Sequence, residues 1–211
     1  MNIICFPTGP LSTNCYVLSC PETHEAVIID PGLGSFTKII QEIKKHQLKP
    51  IAIWLTHTHW DHIGEAAKIK KEFSIPIYVH QEDHYNLENP GSDRVPMIGP
   101  SIEGVVADHL LKEGDFLTIG KISFRVIHTP GHSPGGVCFY SEQQKTLISG
   151  DTFFQRSIGT LNLPTSEPDR MWPSLEKLAV LPSDTTVFPG HGPKTTIGDE
   201  KWLKNAKKIF G

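Results

Sequence analysis

The chain has 211 residues, with 20 lysines and arginines against 23 aspartates and glutamates, a net charge of −3 with histidines neutral. That length can bury a substantial core in one domain, expected over residues 1–211, and the mild acidity speaks against the broad basic field by which proteins hold nucleic acid. No run reaches the roughly 18 apolar residues of a membrane span, and Met1 to Pro7 carry no basic, apolar leader, so cytoplasmic residence is the default expectation.

In chain order, Ile3–Phe6, Tyr16–Leu18 and Ala26–Ile29 are predicted strands, the last closed by Asp30-Pro31-Gly32. Ser35 precedes a helix predicted over 36–46, with Ile39, Ile40 and Ile43 at helical spacing. The β-branched run 51–55 predicts a buried strand, 63–71 a helix and 75–79 another strand. Residues 86–108, rich in proline and glycine, predict a long loop. Four short strands follow at 116–119, 122–127, 137–140 and 146–148, then a helix at 171–180, a strand at 186–188 and a terminal helix at 199–209. The lysine-rich stretches 68–71 and 201–208 have the spacing of solvated helix faces. Cys5, Cys15, Cys20 and Cys138 have neither zinc-ribbon spacing nor the density of a disulfide scaffold.

The informative segment is Thr56-His57-Thr58-His59-Trp60-Asp61-His62, which ends an apolar run. Imidazole nitrogen and carboxylate oxygen suit zinc, manganese or iron, and four such side chains within six positions point to a metal. His57 and His59 alternate by two, whereas Asp61 and His62 begin the next turn of chain, so two directions of ligation suggest two ions. The ligands fall in a strand-to-helix loop, where α/β sheets usually carry their sites. Three later segments follow predicted strands and place a polar side chain beside glycine: Thr129-Pro130-Gly131-His132, Gly150-Asp151-Thr152 and Pro189-Gly190-His191-Gly192.

In this order, with Asp30-Pro31-Gly32, these motifs make the chain resemble the metallo-β-lactamase superfamily, and within it the glyoxalase II-like hydrolases, over nearly its whole length. The resemblance implies an α+β fold, an αββα sandwich of two mixed β-sheets between outer helices. It implies that His57, His59 and His132 hold a first divalent metal ion, that Asp61, His62 and His191 hold a second, and that Asp151 bridges them. Zinc is the first expectation, iron or manganese the alternatives. Turnover is expected to depend on Asp61 and His59 in particular. Asp30 is expected to orient a ligating histidine, and Thr56 and Trp60 to shape the loop. His80 and His84 are the remaining histidines that could approach the cleft.

The reaction implied is hydrolysis of a small-molecule thioester, hydroxyacylglutathione or a relative, by hydroxide formed between the metals. Neither nucleic acid nor membrane is an expected partner, and the family resemblance allows a monomer or a homodimer. With one helix after His191, no C-terminal glutathione-binding helical domain of the kind longer glyoxalase II enzymes carry is expected. Where short relatives place Gly-Arg-Thr-Asp, this chain reads Gly159-Thr160-Leu161-Asn162. Alternatives on the same scaffold are a mononuclear iron persulfide dioxygenase using His57, His132 and Asp151, a lactonase or β-lactamase, and a metal-binding module without turnover.

Overall fold

A computed structural model describes residues 1–211. Strands β1 (Asn2–Thr8), β2 (Thr13–Ser19) and β3 (Glu25–Ile29) form an antiparallel meander. Helix α1 (Phe36–Lys45) then crosses to β4 (Lys49–Trp54), which pairs with β3 in parallel. Helices α2 (Trp60–Ile63) and α3 (Ala66–Phe73) lead to β5 (Ile77–His80), and α4 (His84–Glu88) precedes β6 (His109–Leu111), both strands parallel to their neighbours. The second half opens with the antiparallel strands β7 (Phe116–Ile119), β8 (Ile122–His128), β9 (Val137–Ser141) and β10 (Thr146–Gly150). The ribbon β11 (Phe153–Phe154) and β12 (Ser157–Ile158) and helix α5 (Pro168–Ala179) come next, then β13 (Thr186–Pro189), parallel to β10, and β14 (Thr195–Thr196). A 3-10 turn, Lys201–Asn205, and α6 (Ala206–Phe210) end the chain.

The result is two mixed six-stranded sheets, ordered β1-β2-β3-β4-β5-β6 and β14-β13-β10-β9-β8-β7. The inner strands β2, β3, β9 and β10 are buried on both faces, which is why they are largely apolar, whereas the outer strands β1, β6 and β7 carry exposed positions. Alternate residues take opposite faces. Tyr16, Leu18, Val27, Ile29 and Trp54 meet Phe124, Val126, Phe139 and Ile148 between the sheets, while Val17, Ile28 and Ile53 pack outward against Ile39 and Ile43 of α1 and Ile69 of α3. On the other side Ile127, Cys138, Tyr140 and Leu147 pack against Met171, Leu175 and Leu178 of α5 and Leu203 and Ala206. Trp54 centres the sandwich, edge-on to Phe124 at 5.5 Å and 5.3 Å from Phe139. This is the αββα arrangement, α+β with two mixed sheets.

The helix expected over 63–71 is divided. A Cβ on Gly64 would lie 2.5 Å from Leu33 Cγ, so the chain passes Leu33 closely there, and the amide of Glu65 bonds to the Pro31 carbonyl at 2.8 Å before α3 begins. The strand expected at 75–79 runs instead over Ile77–His80, because Pro76 has no N–H to donate. The stretch 86–108 begins inside α4, and the terminal helix starts as a 3-10 turn. No helix is long and apolar enough to cross a membrane.

Candidate metal centre

All seven side chains singled out by the sequence converge at one edge of the sandwich, each delivered by the segment after a strand: residues 57–62 after β4, His132 after β8, Asp151 after β10 and His191 after β13. They form two trios. The ligand atoms of His57, His59 and His132 lie within 4.8 Å of one another, as do those of Asp61, His62 and His191. Asp151 lies between: its Oδ2 is 3.4 Å from His132 Nε2 and 3.3 Å from His191 Nε2, and its Oδ1 is 3.5 Å from His62 Nε2. Six of the seven are buried, and His191 is half-buried.

Close glycines make this crowding possible. A Cβ on Gly190 would fall 2.0 Å from Asp151 Oδ1 and 2.9 Å from the His62 ring, and one on Gly159 would fall 2.0 Å from the Asp151 carbonyl. Only glycine lets the backbone approach so near.

The other ring nitrogens are fixed by neighbours. His132 Nδ1 meets the Thr160 carbonyl at 2.9 Å and His191 Nδ1 the Leu11 carbonyl at 3.1 Å; a carbonyl only accepts, so both rings carry their proton on Nδ1. Thr56 Oγ1 donates to Asp30 Oδ2 at 2.6 Å, which leaves that hydroxyl to accept from His57 Nδ1 at 3.1 Å. His62 Nδ1 donates to the same Asp30 oxygen at 3.0 Å. The network thus fixes Nδ1 of all four imidazoles as a donor and leaves Nε2 facing the centre, the nitrogen through which a neutral histidine binds a metal.

The first trio tests the fit to a cation. The Nε2 atoms of His57, His59 and His132 and the Oδ1 of Asp151 are buried with no hydrogen-bond partner. Buried polar atoms left so are costly, and several aimed at one place match a metal's coordination sphere. Protonation follows the same logic. Burial first, then neighbouring imidazoles, pushes His57 far below the usual histidine range; burial and His132 hold His59 at about 3. Against burial, Asp61 and Asp151 raise His62 strongly, and hydrogen bonds to Asp151 and Asp61 raise His191 to about 9. Despite burial, His62 and hydrogen bonds from His191 and Thr13 hold Asp61 at about 2. Two buried carboxylates therefore demand positive charge between them.

Several supporting groups escaped the sequence reading. Thr13 Oγ1 donates to Asp61 Oδ2 at 2.5 Å, and the carbonyls of Leu11 and Thr160 orient His191 and His132. Asp83 ties two ligand loops together. Backbone carbonyls leave no residue-type signal, and Thr13 lies 48 residues from Asp61. His84 is half-buried, bonded to the Gln81 carbonyl, and His80 is buried, stacked on His128 at 3.8 Å. His80, Glu82 and His128 also gather ligand atoms, but the two rings are only 21° from parallel, so their lone pairs do not converge, and Arg170 holds Glu82 at 3.0 Å.

The family model of the metallo-beta-lactamase superfamily matches residues 8–191, and the chain belongs to that superfamily. Among solved structures it is similar to the B3 metallo-beta-lactamase BLEG-1, at 42% identity and a TM-score of 0.88 over 100% of both chains. It is also similar to TTHA1623, solved in a di-iron-bound form, at 35% identity and a TM-score of 0.78, covering 93% of this chain and 96% of that one. Among curated proteins, the probable metallo-hydrolase YqgX of Bacillus subtilis is 38% identical over 92% of each chain. The hydroxyacylglutathione hydrolase GloC of Haemophilus influenzae is 33% identical over 95% of each.

Proposed function

We propose that the centre holds two divalent cations and that the protein is a thioester hydrolase. In this reading His57, His59 and His132 hold one ion, Asp61, His62 and His191 the other, and Asp151 serves both. The single observation that carries it is the set of buried, unpartnered Nε2 atoms and Asp151 Oδ1 turned into one space. Zinc suits this nitrogen and oxygen set, and iron is supported by the di-iron form of TTHA1623. When bound, such a pair of cations makes water nucleophilic near neutral pH and polarises a carbonyl.

The chain's own residues supply the rest. Asp30, Thr56 and the carbonyls of Thr160 and Leu11 keep four imidazoles in the ligating tautomer. Thr13 fixes the Asp61 carboxylate. A cavity of about 170 Å³ lies beside the first trio, bordered by His59, Thr58, Ser133, Asn86, Asp93 and Thr165, and has room for a compact acyl group. No lysine or arginine lines it, so a substrate carboxylate finds no ionic partner there. A thiol leaving group has an ordinary pKa near 8.5 and departs without a general acid, which suits a centre whose side chains are ligands or their supports.

Similarity to GloC supports thioester chemistry. The level of similarity to BLEG-1 favours β-lactam hydrolysis as the second reading. Assays with lactoylglutathione, an acyl-N-acetylcysteamine thioester and a chromogenic cephalosporin separate them. Thioester turnover abolished by chelation and restored by zinc or iron supports the proposal. Cephalosporin turnover without thioester turnover replaces it.

A further inference from the structure

We propose that Asp83 is a positioning residue for the first ion: a buried carboxylate that clasps the two loops carrying His57, His59 and His132 and so sets the spacing of that trio. This rests on the two-cation reading above.

Asp83 follows β5 by one turn, its amide bonded to the His80 carbonyl at 3.0 Å. From there its side chain reaches both loops. Oδ2 accepts from the amide of Thr58, the residue between His57 and His59, at 3.1 Å, and from the hydroxyl of Ser133, next to His132, at 3.1 Å. Oδ1 accepts from the amide of Gly135 at 2.6 Å. The Asp83 carbonyl accepts from Thr58 Oγ1 at 3.1 Å, and Asn86, one turn on, donates to the Thr58 carbonyl at 2.6 Å. Every polar group of Thr58 is thereby held from the β5–α4 corner.

The fit is close on the other loop as well. A Cβ on Gly135 would lie 2.6 Å from Asp83 Cγ, so this approach requires glycine. Asp83 is 5% exposed, and no lysine or arginine bonds to it, so the carboxylate is balanced by amides and a hydroxyl of the ligand loops alone. None of its partners belongs to the segments bearing Asp151 or His191. Asp30 holds the same 56–62 loop at its other end, through Thr56 and His62. The loop thus has two buried carboxylate anchors, and Asp83 is the one shared with the His132 loop.

An asparagine at 83 keeps one acceptor but turns an NH2 toward a second donor, so at least one clasping bond is lost. Outer partners of metal ligands are worth roughly 10–100-fold in affinity. The test is titration of metal-free wild type, Asp83→Asn and Gly135→Ala with cobalt(II), read by visible absorption and calorimetry. Glu200→Gln is the control for general destabilisation, since Glu200 is buried and hydrogen-bonded to Thr195, Arg156 and Trp202. Wild type is expected to bind two ions. Asp83→Asn and Gly135→Ala are expected to bind one of them about 10–100-fold more weakly with an altered spectrum, the other unchanged, and Glu200→Gln to bind both as wild type. Two ions bound by Asp83→Asn with wild-type affinity and spectrum would overturn the role of Asp83. A wild type that binds no ion would instead sink the two-cation reading itself. Equal weakening of both ions in all three variants would reduce Asp83 to a stabilising residue.

Discussion

His57 and His62, one from each trio, are set by a single carboxylate oxygen. His62 Nδ1 donates directly to Asp30 Oδ2 at 3.0 Å, and His57 Nδ1 reaches the same oxygen through the hydroxyl of Thr56. Asp30 itself has φ of 49°, a left-handed conformation that Asp tolerates better than most residues. Its other oxygen takes the Thr56 amide at 2.8 Å. One residue therefore holds the Nδ1 side of a proposed ligand in each half of the centre.

Removing that control should cost both halves. Asp30→Ala is expected to lower affinity for metal at each position roughly 10–100-fold, because both imidazoles lose their fixed proton. Calorimetric zinc titration checks this, and an effect confined to one ion would contradict the shared relay.

Asp61→Ala and His59→Ala are each expected to reduce turnover by more than about 100-fold and to lower metal content, a loss beyond that typical of outer partners. His46→Ala should do neither, since His46 is a partly exposed partner of Glu42 on α1. Steady-state rates and metal analysis on the three purified variants decide it. Wild-type activity in Asp61→Ala would remove the mechanism.

Gly190→Ala places a methyl where Asp151 Oδ1 and His62 now stand. Overpacking of this kind costs about 1–3 kcal/mol. Here the displaced atoms are proposed ligands, so metal content should fall while circular dichroism keeps its native shape. Full metal content in this variant would show that the strand end can shift without moving the trio.

Burial, with His128 second, lowers His80 to about 4. In the unfolded chain it titrates near 6.5. Between these values the unfolded chain takes up a proton that the folded protein refuses, so stability falls as pH drops from 6.5 toward 4 and this contribution levels off below. NMR titration of the metal-free protein should show His80 neutral at pH 5, and His80→Phe should lose less stability than wild type from pH 7 to 5. An imidazole titrating near 6.5 would contradict the buried, uncharged state.

How much was legible in sequence depends on the range of the interaction. Runs such as 26–29 and 51–55 announced their strands because both sheet faces are covered there, the residues following β4 stood out by their density of histidine and aspartate, and those following β8, β10 and β13 stood out beside glycines. What the sequence hid is what distant chain segments impose. The helix breaks at Glu65, whose amide is taken by the Pro31 carbonyl, and β6 is three residues long, recognisable by its pairing with β5. Asp83 meets Ser133 across 50 residues. The stretch 159–162 bears no ionisable side chain, yet it meets His132 through the Thr160 carbonyl, a group every residue has.

The most direct test of the account is metal content by mass spectrometry on protein purified without added metal, with lactoylglutathione and acyl-N-acetylcysteamine hydrolysis measured on the same sample before and after chelation. Two zinc or iron ions per chain, with thioester turnover that chelation removes, is the predicted result. A metal-loaded protein that hydrolyses neither thioester, or thioester turnover that survives complete metal removal, would contradict it.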